Sequence, residues 1–250
     1  MQDKPQLPEK LNLEMEFHRI MEILASTGVI YPPGYIEMLI HKYKKDGVRY
    51  PRILMRMGDP NIRKHQQFQE ILQIKSDFLD YGCGTGDDIR ALVKSGYLPQ
   101  KIVGYDVNWS SINLGFDLYL DRDTLGIQFM VSKDFPFHPS TFNVVYSGSV
   151  IHVLRSKRAI KRYVSNAYAV LKPTGIFFGS TLGFKKGEPT PLRDERMRRG
   201  GWLRRLWRKR LKLLSREGLN DLLHEAGFSE VEVSQDETNH RLWFHARKLR

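Results

Sequence analysis

Asp77-Phe78-Leu79-Asp80-Tyr81-Gly82-Cys83-Gly84-Thr85-Gly86-Asp87-Asp88 decides the fold class of this 250-residue chain. A short apolar run enters three alternate glycines and leaves them at the start of a helical pattern. Glycine at 82, 84 and 86 lets the chain turn sharply and brings the backbone close to a ligand with no Cβ in the way. The helix that follows offers free N–H groups at its N-terminus. Asp106 ends the next apolar run, Ile102-Val103-Gly104-Tyr105. A carboxylate there can accept both hydroxyls of a ribose. The stretch describes a pocket for an adenosine-type ligand at the carboxyl end of a parallel sheet.

Working outward, short apolar runs alternate with helical ones. Ile127-Gln128-Phe129-Met130, Val144-Val145-Tyr146 and Ile176-Phe177-Phe178 read as strands. Asp88 to Ser95, Ser110 to Leu120 and Ser156 to Leu171 are each long enough for a helix. Such alternation means crossover units and a mainly parallel sheet. Residues 215–227 read as one more helix, with Ser215 as N-cap and Gly227 as the stop. Two closing strands near 229–234 and 241–246 are expected to pair antiparallel. The fold class is α/β, a Rossmann-like doubly wound sheet of about seven strands, mostly parallel with a closing antiparallel hairpin. Residues 1–69 are expected as a helical N-terminal extension or substrate cap, with Ile62 to Ile74 as one helix. Residues 70–250 are expected as the ligand-binding domain, with a basic insertion at about 184–214.

Composition excludes several classes. Apolar residues are 41% and charged residues 27%, ordinary for a globular protein. One cysteine cannot form an internal disulfide or an all-cysteine zinc site, and a reducing, cytoplasmic location fits. No apolar run approaches the length of a membrane span, and the first residues lack a signal-peptide layout. The formal charge of +12 is uneven: residues 193–212 hold ten basic and two acidic residues. In 202–214, Leu203, Leu206, Trp207, Leu211 and Leu214 fall at helical spacing with basic residues on the other face. Three readings stay open: a packed insertion with solvated charges, a peripheral membrane contact, or nucleic-acid binding. Nucleic acid is disfavoured, because the rest of the chain shows no basic stripe or nucleic-acid-binding module.

The spacing of the glycines narrows the ligand. A dinucleotide site reads G-x-G-x-x-G, whereas here G-x-G-x-G follows Asp80. A carboxylate beside a pyrophosphate is unfavourable, and beside the ammonium of a methionine moiety it is favourable. The residues point to S-adenosylmethionine rather than NAD. The pattern D-x-G-x-G-x-G resembles the first motif of class I methyltransferases. Ser132-Lys133-Asp134-Phe135, Thr141 to Ser147, Ala169 to Gly175 and His224 to Phe228 are similar to later blocks of that class. The resemblance implies that Asp80, Gly82, Cys83, Gly84, Thr85, Gly86, Asp106, Val107, Asp134, Phe135 and Ser147 bind cofactor, with Asp134 and Phe135 at the adenine. Asp87 to Val93, Leu114 to Leu125 and Gly148 to Leu154 resemble small fungal methyltransferases of secondary metabolism, including ones that esterify a carboxyl group in meroterpenoid pathways. Tyr31 to Arg52 and His65 to Ile74 resemble that group more loosely. Residues 184–214 depart from it by their basic character, which leaves the substrate in doubt.

Methyl transfer from a sulfonium is an in-line displacement in which the protein supplies orientation and electrostatics. A carboxylate or phenolate acceptor needs alignment, and a neutral hydroxyl needs a base. His152, on the loop leaving the fourth strand, is the candidate base, and the alternative is a His packed under that loop. Cys83 reads as a small packed residue, since no partner that would lower its pKa is legible. The histidines form no metal-binding pair, so no metal is expected. Asn108-Trp109-Ser110 matches a glycosylation sequon, idle in a cytosolic chain. Trp109 is a candidate pocket wall, and Tyr31, Tyr35 and Tyr43 either line the acceptor pocket or pack. The expected function is O-methylation, on carboxyl or hydroxyl, of a small natural-product acceptor. An RNA or protein methyltransferase and a non-catalytic module docking on a membrane or partner are the alternatives.

Overall fold

The structure, a computed structural model, describes residues 12–46, 54, 57–184, 213–236 and 240–249. Seven strands form one sheet: β1 (Phe78–Tyr81), β2 (Ile102–Asp106), β3 (Gln128–Val131), β4 (Phe142–Gly148), β5 (Leu171–Leu182), β6 (Phe228–Gln235) and β7 (Arg241–Lys248). Their order is β3-β2-β1-β4-β5-β7-β6, and β7 runs antiparallel to both of its neighbours. The order reverses between β1 and β4, which pair in parallel through Phe78↔Val144, Leu79↔Val145 and Asp80↔Tyr146. Ligands of open α/β sheets bind outside the carboxyl ends of the strands at such a reversal.

Two cores follow from the two-residue period of the strands. On one face Phe78, Val144, Tyr146 and Phe178 pack with Ile89 and Leu92 of α4 (Asp87–Lys94) and Ile112 of α5 (Trp109–Tyr119). On the other, Leu79, Val145, Phe177 and Phe244 pack with Ile160 and Val164 of α6 (Lys157–Val170) and Leu219 and Leu223 of the helix Arg216–Glu225. Ser215 caps that last helix by accepting from Gly218 N at 3.1 Å, as its position before the apolar run implied. The strand β1 is buried at all four positions, and Asp80 is the polar exception among them.

The N-terminal helices α1 (Leu13–Ser26) and α2 (Tyr35–Asp46) share a third core. Phe17, Ile20, Leu24, Leu39 and Tyr43 close on Leu114 and Leu118 of α5. The hydroxyls of Tyr31 and Tyr35 donate to the carbonyls of Leu118 (2.5 Å) and Asp117 (2.9 Å), and that of Tyr43 to the Asp117 carboxylate (2.7 Å). These three tyrosines dock the extension on the end of α5.

One element differs from the sequence reading. Residues 62–74 are not one helix: a 3-10 turn, Asn61–Lys64, is followed by α3 (Phe68–Ile74). His65 interrupts them in extended backbone, because its buried ring reaches β7, with Nε2 3.0 Å from the Phe244 carbonyl. A tertiary contact overrides the helical period there. The basic segment 193–212 lies outside the described residues, as does most of the 202–214 stripe. Leu214 is described and forms a bridge with Gly183.

Gly115 shows how tightly α5 is fitted. A Cβ there would lie 2.0 Å from the Thr85 carbonyl oxygen, so the helix rests on the backbone of the glycine loop. Gly115→Ala is expected to cost about 1–3 kcal/mol, typical of an overpacked contact that must shift backbone. A urea melt with unchanged midpoint would contradict this packing.

Candidate functional site

The glycine loop leaves β1 and folds back onto β2. Gly82 N and Cys83 N both donate to the Tyr105 carbonyl, at 2.7 and 3.0 Å. Gly82, Gly84 and Gly86 all hold positive φ (87°, 56° and 77°), which side chains rarely adopt. Asp106, last in β2, accepts from Gly84 N at 3.0 Å and from Asn108 N at 2.9 Å. One carboxylate therefore fixes the loop and the start of α5 together. The far end of the loop is held by Arg90 of α4, which donates to the Thr85 carbonyl (2.6 Å) and forms a two-pronged bridge to Asp121 (2.7 and 2.8 Å). Thr85 is buried, with its hydroxyl donating to the Asp87 carboxylate.

Four carboxylates converge here. Asp80 lies buried beneath the loop, and its pKa stands well above the usual range, first because of burial and then because Asp88, Asp106 and Asp87 repel its charge. Asp88 is pushed up to about 6, mainly by burial, against the stabilising N–H of Ile62 (2.8 Å) and the Tyr146 hydroxyl (3.1 Å). Asp87 accepts from Gly58 N (3.0 Å) and from the Tyr119 hydroxyl (2.6 Å). Such a cluster favours a cationic ligand and disfavours a pyrophosphate. Cys83 is buried and its thiol pKa is raised by burial and the neighbouring acids, so it is a packed residue as the sequence indicated.

On the β2–β3 side, Val107 and Trp109 are half-exposed beside Asp106, and Val131 is exposed at the end of β3. Trp109 opens α5 at the surface, and Asn108, the sequon residue, is its buried N-cap. Phe135 sits 4.8 Å from the Tyr81 ring, and Asp134 N donates to Ser132 Oγ. Asp106, Val107 and the 132–135 turn thus flank the carboxyl ends of adjacent strands, as an adenosine pocket requires. Ser147, at the carboxyl end of β4, is fully buried, and its hydroxyl donates to that of Tyr163 at 2.8 Å, which in turn donates to the Tyr81 carbonyl.

His152 lies in a 3-10 turn, Ile151–Val153, and is buried. Leu182 N donates to its Nδ1 (3.2 Å), and the Thr181 hydroxyl lies 3.1 Å from the same atom. A backbone N–H can only donate, so Nδ1 is the acceptor in this contact. Sequence reasoning missed Arg90 and Tyr163. Arg90 had a signal, being a cation within the apolar pattern Ile89-Arg90-Ala91-Leu92. Tyr163 had none: its hydroxyl, 2.7 Å from the Tyr81 carbonyl, acts across the sheet.

A family pattern described as "Methyltransferase domain" matches residues 41–233, well over half of the chain. The chain belongs to the methyltransferase domain family. Among curated relatives, methyltransferase trt5 of Aspergillus terreus is 31% identical over 90 residues, 33% of this chain and 32% of the relative. O-methyltransferase atr3 of Stereocaulon alpinum is 28% identical over 155 residues, 57% of this chain and 40% of the relative. The matches thus span between a third and two-fifths of those relatives' length. A solved Haemonchus contortus phosphoethanolamine N-methyltransferase 2 with S-adenosyl-L-methionine bound superposes with a TM-score of 0.55 at 16% identity. It covers 70% of this chain and 49% of that one, and supports the fold.

In this member of the methyltransferase domain family, the glycine loop and its acids offer a site for S-adenosylmethionine as cofactor. The residues fit it: a glycine cradle at positive φ, a carboxylate at the end of β2, and buried acids where a cation must lie. Among the described residues no group of three or more His, Cys, Asp or Glu is arranged to hold a metal ion, and no helix is long and apolar enough to cross a membrane. The buried acids set a pH dependence. The unfolded chain loses the Asp88 proton near its ordinary pKa of 3.8, whereas the folded chain keeps it to about 6. Native protein binds more protons in that window, so this group's contribution to stability falls as pH rises through it. Asp88→Asn is expected to flatten that decline in denaturant melts between pH 4 and 6.5. Parallel curves for the two proteins would contradict the assignment.

Proposed function

We propose that this protein is an S-adenosylmethionine-dependent O-methyltransferase acting on a small natural product of secondary metabolism, in the cytoplasm. The observation that carries the reading is the glycine loop fixed against Asp106 above buried carboxylates, at the reversal of strand order. When bound, the cofactor's sulfonium supplies a methyl group open to in-line displacement. Asp106 and Val107 would hold the ribose, and Asp134 and Phe135 the adenine edge. The backbone of residues 82–86 would carry the methionine moiety. Asp80 and the carboxylates around it would offset its ammonium charge.

The acceptor side is read from His152. With Nδ1 occupied by Leu182 N–H, the imidazole serves as an orienting donor. An acceptor that arrives ionised needs no base. This favours a carboxylate over a neutral hydroxyl, and the O-methyltransferase name of one fungal relative supports oxygen as the acceptor atom. One similar protein of Aspergillus novofumigatus is named an Asnovolin E/Chermesin D methyltransferase and one of Symbiobacterium thermophilum a demethylmenaquinone methyltransferase, which supports a small-molecule acceptor.

Two measurements test this reading. Asp106→Ala should weaken S-adenosylmethionine binding by about 1–3 kcal/mol, the loss expected for charge-assisted hydrogen bonds. Unchanged affinity in equilibrium dialysis would take Asp106 out of the site. With an acceptor in hand, kcat should stay flat between pH 6 and 8. A rise tracking loss of an imidazole proton would restore His152 as the base.

A further inference from the structure

The strands β1 and β4 part at the root of the glycine loop. Their ladder runs from Phe78↔Val144 to Asp80↔Tyr146, while β1 continues to Tyr81 and β4 to Gly148. Gly82 N donates to the Tyr105 carbonyl of β2. In a trans peptide the carbonyl points opposite to the N–H that follows it. The Tyr81 carbonyl is therefore turned away from β2 and toward β4, one position past the last rung. A buried carbonyl with no partner is costly.

Tyr163 supplies that partner from the helix layer. Its hydroxyl donates to the Tyr81 carbonyl at 2.7 Å and accepts from the Ser147 hydroxyl at 2.8 Å. The Tyr163 and Tyr81 rings stack with centroids 3.9 Å apart. Burial keeps the Tyr163 phenol protonated well above its usual range, so it stays a donor. Leu79, Val145, Val164 and Phe177 share the same core. Apolar side chains of similar shape could fill such a place at little cost in stability. What the two hydroxyls add is a tie between the end of β1 and the end of β4, where the ladder no longer holds them. The far side of β4 has no slack either, since a Cβ at Gly179 of β5 would lie 2.1 Å from the Ser147 carbonyl oxygen. Above the tie the two loop roots touch: a Cβ at Gly82 would lie 2.5 Å from Val150 Cγ2.

We propose that Tyr163 is a positioning residue for the amino-acid half of the cofactor: its hydroxyl fixes the Tyr81–Gly82 peptide against the end of β4, and with it the first turn of the glycine loop. This rests on the S-adenosylmethionine reading above and adds a residue, outside the cradle, that sets its geometry. The adenosine half depends on a different anchor. Asp106 holds Gly84 N and Asn108 N at the end of β2, on the opposite side of β1. Loss of the Tyr163 hydroxyl should therefore be felt by one half of the ligand and not by the other.

The test titrates the full-length protein with S-adenosylhomocysteine and with 5′-methylthioadenosine, which keeps the adenosine and the sulfur but lacks the amino-acid group. Y163F should bind S-adenosylhomocysteine about fivefold or more weakly than wild type, the scale of one hydrogen bond. Its affinity for methylthioadenosine should stay within about twofold. S147A keeps the bond to the Tyr81 carbonyl and loses the second anchor, so it should show a smaller loss with the same selectivity. Unchanged S-adenosylhomocysteine affinity in Y163F, or an equal loss for both ligands, overturns the proposal, the second outcome marking a general structural role. Should Y163F not fold, the ratio of the two affinities in S147A decides, and a ratio equal to that of wild type overturns it. Failure of wild type to bind S-adenosylhomocysteine would instead overturn the underlying reading, and the first titration shows that separately.

Discussion

The site depends on one carbonyl and one carboxylate at the end of β2. The Tyr105 carbonyl takes two successive N–H groups of the glycine loop, and Asp106 takes the next glycine's N–H together with that of Asn108. A loop of alternate glycines has many accessible conformations, and its ordering carries an entropic cost. Tying it to the neighbouring strand offsets that cost and turns a flexible stretch into a preorganised cradle. Arg90 completes the arrangement from α4 by holding the Thr85 carbonyl, and α5 closes on the same residue through Gly115. Helices, loop and strand are thus adjusted to one another at backbone level, where a side chain would not fit.

The buried acids work against stability and toward ligand binding. Desolvation and mutual repulsion raise the pKa of Asp80 and Asp88, so the unliganded fold carries electrostatic strain near neutral pH. A cation placed over them relieves it. The N-terminal extension shares in this arrangement, since Gly58 N and Ile62 N donate to Asp87 and Asp88. Its tyrosines grip α5 from the other side. Sites of this kind give up local stability for binding specificity.

Much of the fold was legible because its signals are local. The D-x-G-x-G-x-G spacing, the acid closing the second strand, Ser215 before its helix and the alternation of strand and helix are each contained in a few residues. What escaped acts over distance. Nothing near His65 says that its ring will reach β7 and break a helical pattern. The candidate base, His152, was found by position, yet its tautomer depends on Leu182 N–H, thirty residues away. Ser147 is legible as the end of the fourth strand, but nothing near it says that its hydroxyl will meet that of Tyr163, sixteen residues on. Residue types and spacing announce strands, turns and ligand pockets. Hydrogen bonds across the sheet assign the proton and the orientation of each polar side chain.

The central claim is that the cradle above Asp80 and beside Asp106 is an S-adenosylmethionine site and not a dinucleotide site. Calorimetric titration of the purified protein with S-adenosylhomocysteine, and in parallel with NAD, tests it most directly. Saturable one-to-one binding of S-adenosylhomocysteine with no heat from NAD is the expected result. Binding of NAD, or of neither ligand, would contradict the account.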